Sequence, residues 1–155
     1  MEVFRLSKAK YSEDLSGRGA ELYGGRWNSK GFPMLYTSAN RALCMAEIAV
    51  HAPLGLVPVG YMLMTISIPA SIKIKRLSKS ALGKNWKDFQ FTQSTQKIGD
   101  DFIKDGKFAI LEVPSAVVEG DSNFLINPRH KDARKIKLKE AVPFSFDERL
   151  FRVGN

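Results

Sequence analysis

The sequence predicts an α+β domain with a mixed or split β-sheet and flanking helices, and three observations carry that prediction. Several short apolar runs have the two-residue period of strands. Two segments have the spacing of amphipathic helices. The two kinds of element follow one another without the regular alternation of a βαβ chain. At 155 residues with 44% hydrophobic content, the chain has the size of one domain, 1–155, around one core.

Taken in order, VFRLS (3–7) reads as an opening strand. DLSGRGAELYGGRWNSKG (14–31) holds five glycines in eighteen residues, which predicts an extended loop. MLYTS (34–38) is a short apolar strand. Ser38 is placed to cap a helix whose apolar positions Ala39, Leu43, Ala46 and Val50 repeat every three or four residues, and Pro53 stops it. VGYMLMTISI (59–68) alternates as a long strand, and SIKIKRL (71–77) reads as its continuation beyond Pro69. TQKIGDDFIKDG (95–106) has helical spacing and ends at Gly106. FAILEV (108–113), NFLINP (123–128) and RKIKLKEAVPFSF (134–146) complete the strands. No repeat or low-complexity tract interrupts the pattern.

Composition narrows the chemistry. No stretch has the roughly 20 apolar residues of a membrane span, and MEVFRLSKAK lacks the apolar core of a secretory signal, so a cytoplasmic protein is expected. One cysteine, Cys44, excludes an intrachain disulfide, and His51 and His130 are too few for a zinc site, so no metal is expected. The net charge of +8 favours an acidic partner or anionic substrate: nucleic acid, a nucleotide or an acidic protein. Much of the excess lies in SIKIKRLSK (71–79) and RHKDARKIKLK (129–139), where lysines alternate with Ile or Leu. That period fits a solvated strand face, or a docking face for something acidic. Basic surface without interleaved exposed aromatics or a helix-turn-helix pattern is weak support for a nucleic-acid-binding module.

Residues 24–51, GGRWNSKGFPMLYTSANRALCMAEIAVH, carry the chemistry. Arg26 follows a Gly24–Gly25 pair whose missing Cβ atoms allow close backbone approach to a ligand, and a guanidinium suits bidentate phosphate recognition. Tyr36 ends a strand next to this loop, either as core or as a ring that stacks on a flat heterocycle. Glu47 borders the apolar stripe of its helix, at the edge of the core or in a cleft. A cation for an anion, an aromatic ring and a carboxylate that stabilises a cationic sugar together suit cleavage at the anomeric carbon of a nucleotide. Trp27 and Asn28 are expected to shape the loop holding Arg26, Cys44 to be a buried thiol, and His51 a partly buried structural histidine.

The same stretch, followed by LEVPSAVVEGDSNFLINPRH (111–130) and FSFDERLF (144–151), resembles the RES-domain family, the toxins of bacterial Xre/RES toxin–antitoxin pairs. The likeness runs from FRLS to DERLF; residues 70–105 carry no family signature. It implies a fold similar to ADP-ribosyltransferases and an enzyme that depletes NAD+ by splitting the nicotinamide–ribose bond, with water, phosphate or a protein side chain as acceptor. By motif, the catalytic residues implied are Arg26, Tyr36 and Glu47, and the NAD-binding residues are Arg5, Arg26, Tyr36, Ser115 and Asn123. Ser115 is expected to hydrogen-bond the substrate. NAD+ is then substrate and no separate cofactor is expected. An Xre-like helix-turn-helix antitoxin is the implied partner, with DNA reached only through it, and a homodimer within a larger complex is expected. Phe124 stands where the family often has Tyr, and His130–Lys131 replaces the more usual His-Pro, a local change of turn.

Overall fold

The computed structural model of the chain describes residues 1–88 and 93–152; residues 89–92, and the last three of the expected 1–155 domain, lie outside the described residues. In chain order the strands are β1 (Glu2–Lys8), β2 (Leu35–Ser38), β3 (Tyr61–Ser67), β4 (Ile74–Arg76), β5 (Ile110–Pro114), β6 (Ser122–Ile126) and β7 (Lys137–Phe144). The helices are α1 (Arg18–Tyr23), α2 (Arg41–Ala49) and α3 (Gln93–Asp105). The strands form one seven-stranded sheet in the order β4-β5-β6-β2-β1-β3-β7. Only β4 and β5 run parallel, so the sheet is mixed and the fold is α+β.

The sheet is narrowest at its middle. β1 and β2 share a single residue pair, Phe4 with Ser38, whereas β1 and β3 pair over seven residues. Past that pair the two strands part, and the Arg5 guanidinium donates to the Tyr36 carbonyl at 3.0 Å. A side chain thus satisfies a backbone acceptor that a continued ladder would have used. Of the two forms the sequence allows, mixed or split, the sheet is the mixed one, continuous through this junction.

Strand alternation distributes the core around it. Val3 joins Met64, Ile66, Ile110 and Phe124 in one apolar cluster, while Phe4 and Leu6 pack with Cys44, Leu63 and Phe146 in another. Trp27, Met34, Phe102, Leu111 and Leu125 form the third, where α3 meets the sheet. Cys44 is 4% exposed, and burial pushes its thiol up to about 11, so it is the buried thiol the sequence predicts.

Three local expectations are corrected. The glycine-rich segment is not all loop: Gly17 and Gly24, both at positive φ, bracket α1, so these glycines act as caps. A Cβ on Gly17 would lie 2.7 Å from the Met34 backbone, which ties the start of α1 to β2. The cap of α2 is Asn40, whose side chain accepts from the Leu43 N–H at 2.8 Å. Ser38 is instead a buried residue of β2, and Val50 is 51% exposed rather than in the apolar stripe. Finally, 71–77 does not prolong β3. Pro69 has no N–H to extend a ladder, Ile72 N–H closes a turn onto its carbonyl, and the chain crosses to pair β4 with β5 at the far edge.

Each basic segment reaches an edge strand, β4 or β7, but residues 131–135 form a short 3-10 helix before β7 rather than the strand face the alternation predicts; part of the charge is locally balanced. Lys139 pairs with Glu2 and Arg76 with Glu112, each at 2.8 Å. Among the described residues no helix is long and apolar enough to cross a membrane.

Candidate active site

The loop after α1 is organised by Asn28, which is fully buried. Its Nδ2 donates to the carbonyls of Ala20, Ser29 and Phe32, and its Oδ1 accepts from the Tyr36 hydroxyl at 2.7 Å. That hydroxyl in turn accepts from the Trp27 N–H at 3.0 Å. Burial raises the Tyr36 pKa well above its ordinary value, which keeps the phenol a donor to Asn28. A Cβ on Gly25 would come within 2.7 Å of the Tyr36 hydroxyl. The missing Cβ of Gly25 thus makes room for Tyr36, and Gly24 and Gly25 both line the cavity described below. Trp27 and Asn28 shape the loop as anticipated.

Helix α3 clamps this loop from behind. Gln96 Nε2 donates to the carbonyls of Gly25 at 3.0 Å and Asn28 at 3.3 Å, and Asp100 Oδ1 accepts from the Ser29 N–H at 2.8 Å. Gly99 faces Trp27 so closely that no side chain fits between them. Trp27 packs against Trp86 with ring centroids 6.0 Å apart. Replacing Gln96 by Leu removes both bonds and leaves the Gly25 carbonyl beside an apolar side chain, while the Asn28 carbonyl keeps the Gly25 N–H at 2.9 Å. We expect Gln96→Leu to lower the unfolding free energy by about 1–3 kcal/mol in denaturant titration; an unchanged midpoint would mean the loop is held without it.

On the other side of the loop, α2 presents Glu47. Asn123 Nδ2 donates to Glu47 Oε1 at 2.6 Å, and Ser115 Oγ donates to the same oxygen at 3.0 Å. Each donor is itself fixed. Asn123 Oδ1 accepts from Ser38 Oγ at 2.9 Å, and Ser115 Oγ accepts the N–H groups of Val117 and Val118, both at 3.0 Å. Both bonds fall on Oε1, and among the described residues none falls on Oε2. The carboxylate is held in one orientation with one oxygen available.

Two arginines complete the arrangement. Arg26 Nη1 donates to the Trp86 carbonyl at 2.6 Å. Partial burial draws its pKa down, and the charge of Glu47, followed by Tyr36, opposes that shift. Arg5 is more deeply enclosed; desolvation lowers its pKa, yet a guanidinium keeps its charge at any physiological pH. Its Nε is buried with no hydrogen-bond partner among the described residues. A buried cationic donor left unsatisfied is destabilising.

These groups surround a cavity of about 490 Å³, within the range of small-molecule sites. Arg5, Arg26, Tyr36, Glu47 and Asn123 all line it. Ser115, 2% exposed, stands behind Glu47 with its hydroxyl committed to the carboxylate and to two backbone amides. His51 is exposed at the cavity rim, not partly buried as the sequence reading had it. Among the described residues no cluster of His, Cys, Asp or Glu is placed to hold a metal ion.

Sequence reasoning missed Gln96, Gly99 and Asp100, which share the spacing of one helix face but lie about seventy residues from the loop they clamp. Trp86 gave no signal beyond being one of two tryptophans.

Comparison with known proteins places this geometry in a family. The family described as the RES domain matches residues 2–147. A protein of Sphingobium sp. (strain YBL2) named "Prs ADP-ribosylating toxin" is 33% identical over 145 residues, covering 91% of this chain and 89% of that protein. A protein of Photorhabdus laumondii named "Toxin Res" is 33% identical over 154 residues, covering 98% of each. Among solved structures, a chain of the M. tuberculosis MbcT–MbcA toxin–antitoxin complex superposes with a TM-score of 0.76 at 21% identity, over 97% of this chain and 86% of that one, and shares its fold. The family match over nearly the whole sequence, with relatives a third identical from end to end, establishes that this chain belongs to the RES domain family.

Proposed function

We propose that this chain is the toxin of a toxin–antitoxin pair and that it acts on NAD+, breaking the bond between nicotinamide and ribose. The observation that carries the reading is Glu47, a carboxylate locked through one oxygen by Ser115 and Asn123 in a cavity that also holds two cationic side chains. As the bond breaks, its electron pair leaves with nicotinamide and positive charge develops on the ribose. A carboxylate fixed beforehand stabilises that charge without having to reorganise. Glu47 Oε2 is the oxygen available to a ribose hydroxyl and to the developing cation. Ser115 and Asn123 then work through Glu47, as positioning residues. Arg26 and Arg5 supply the charge for the diphosphate. The hydroxyl of Tyr36 is taken up by the loop, so the part of Tyr36 open to substrate is its ring, against the nicotinamide end.

Attack by water would yield ADP-ribose and a proton; attack by inorganic phosphate would yield the corresponding sugar phosphate. A second reading, transfer of ADP-ribose to a protein side chain, is favoured by the Sphingobium relative's name. The proposed partner is an Xre-like helix-turn-helix antitoxin that covers the cleft between the loop and Glu47. The toxin–antitoxin complex among the structural relatives supports a partner of this kind. DNA would be reached only through that partner, and the toxin would sit as a homodimer within the larger complex. Sizing the co-expressed pair tests this.

The deciding experiment is incubation of purified protein with NAD+, with and without phosphate, followed by identification of the products. Nicotinamide release with no nucleic acid present supports the reading, and intact NAD+ sinks it. Arg26→Lys is expected to weaken NAD+ binding about tenfold or more by calorimetry, because an ammonium cannot reproduce a two-pronged grip on a diphosphate. Unchanged binding would mean that Arg26 holds the loop, as its contact with the Trp86 carbonyl already does.

A further inference from the structure

The cavity has a second wall, made by the short turn Ala9–Tyr11 and by α1, that the mechanism above does not use. Tyr11, Leu22 and Tyr23 line it and are 50%, 47% and 78% exposed. Three large apolar side chains left open to water on one concave surface mark a place where something binds. Tyr11 already has the Lys10 ammonium 4.7 Å from its ring centroid, so one of its faces is engaged. Tyr23, the most exposed of the three, is the freer platform.

We propose that Tyr23, flanked by Tyr11 and Leu22, is an adenine subsite. The inference rests on the reading that the chain acts on NAD+, and deepens it by assigning the half of the dinucleotide remote from the broken bond. Tyr23, Arg26 and Glu47 line the same cavity, and only Gly24 and Gly25 separate Tyr23 from Arg26 in sequence. Three Cα steps span at most about 11 Å. A dinucleotide with its nicotinamide ribose at Glu47 and its diphosphate at Arg26 therefore has the aromatic wall within reach of its adenosine. Adenine offers a broad flat face, and a phenol ring stacks on such a face without demanding a particular hydrogen-bond pattern. The three side chains line the same cavity of about 490 Å³ as the charged groups that would hold the rest of the dinucleotide.

The test compares two ligands by calorimetry. ADP-ribose carries the adenine, and nicotinamide mononucleotide lacks it. In Tyr23→Ala the affinity for ADP-ribose should fall about tenfold relative to that for nicotinamide mononucleotide, and Tyr23→Phe, which keeps the ring, should restore the ratio. Because Tyr23 is an exposed side chain, its truncation does not threaten the core. An equal loss for both ligands, or none for either, overturns the subsite; no effect assigns the aromatic wall to a protein partner instead. No ADP-ribose binding by the unaltered protein overturns it outright. A separate nicotinamide-release assay keeps the two claims apart. A ligand-selective Tyr23 effect without release would keep the subsite and sink the reaction, and release without a selective effect would do the reverse.

Discussion

Glu47→Gln is expected to abolish nicotinamide release while leaving the fold intact. The amide keeps one carbonyl oxygen, which can still accept from Ser115 and Asn123 where Oε1 does now, so the polar scaffold around the side chain survives. What disappears is the negative charge at the second oxygen. Loss of one preorganised group facing transition-state charge costs on the order of 2.7–4 kcal/mol, or roughly a hundred- to a thousandfold in turnover. The check is kcat for nicotinamide release beside a denaturation curve. An unchanged midpoint with turnover reduced in that range fits a charge acting in the reaction. Turnover within a few-fold of normal would remove Glu47 from the centre of the mechanism. The same variant separates causes of toxicity. Growth arrest by the unaltered toxin should come with a fall in cellular NAD, and both should vanish with Glu47→Gln. Arrest that persists with NAD unchanged would point to nucleic-acid binding or aggregation.

Much of this site was legible because its chemistry sits in a short span. Arg26, Tyr36 and Glu47 fall within twenty-two residues, and the strand, turn and helix that carry them have strong local signatures. Arg5 and Asn123 came with the family resemblance, and the sheet brings them in: β1 and β6 flank β2, which carries Tyr36. The illegible part is what holds these groups still. Nothing in the periodicity of α3 says that Gln96 and Asp100 turn toward the glycine loop, because helical spacing gives a shared face but not what that face meets. The same limit explains the errors. Glycines in 14–31 were counted as breakers, although Gly17 and Gly24 end a helix from outside it. Ser38 and Asn40 are both capable caps, and pairing of β2 with β6 decided between them by drawing Ser38 into the sheet. Residues 71–77 read as a continuation of β3, although β4 pairs with β5, because strand pairing at long range leaves no mark on the pattern of either strand.

The clamp leads to the other large effect, Gly99→Ala. A methyl built at Gly99 would lie 1.6 Å from the Trp27 carbonyl oxygen and 2.7 Å from its carbon, so backbone meets side chain with no rotamer to relieve the contact. Either α3 retreats or the loop is displaced, and both break the bonds from Gln96 and Asp100 that fix residues 25–29. Overpacking in a well-filled interior typically costs about 1–3 kcal/mol, and here the lost clamp adds to it, so a loss of about 3 kcal/mol or more is expected in denaturant unfolding. Gly19 supplies the internal control: it lies within α1, nothing stands within 4 Å of its missing Cβ, and no positive φ holds it. Alanine there should stabilise by up to about 1 kcal/mol through helix propensity. Opposite signs from one chemical change would locate the constraint at the α3–Trp27 contact. If Gly99→Ala were as harmless as Gly19→Ala, helix and loop would not be in the close contact on which the positioning of Arg26 depends.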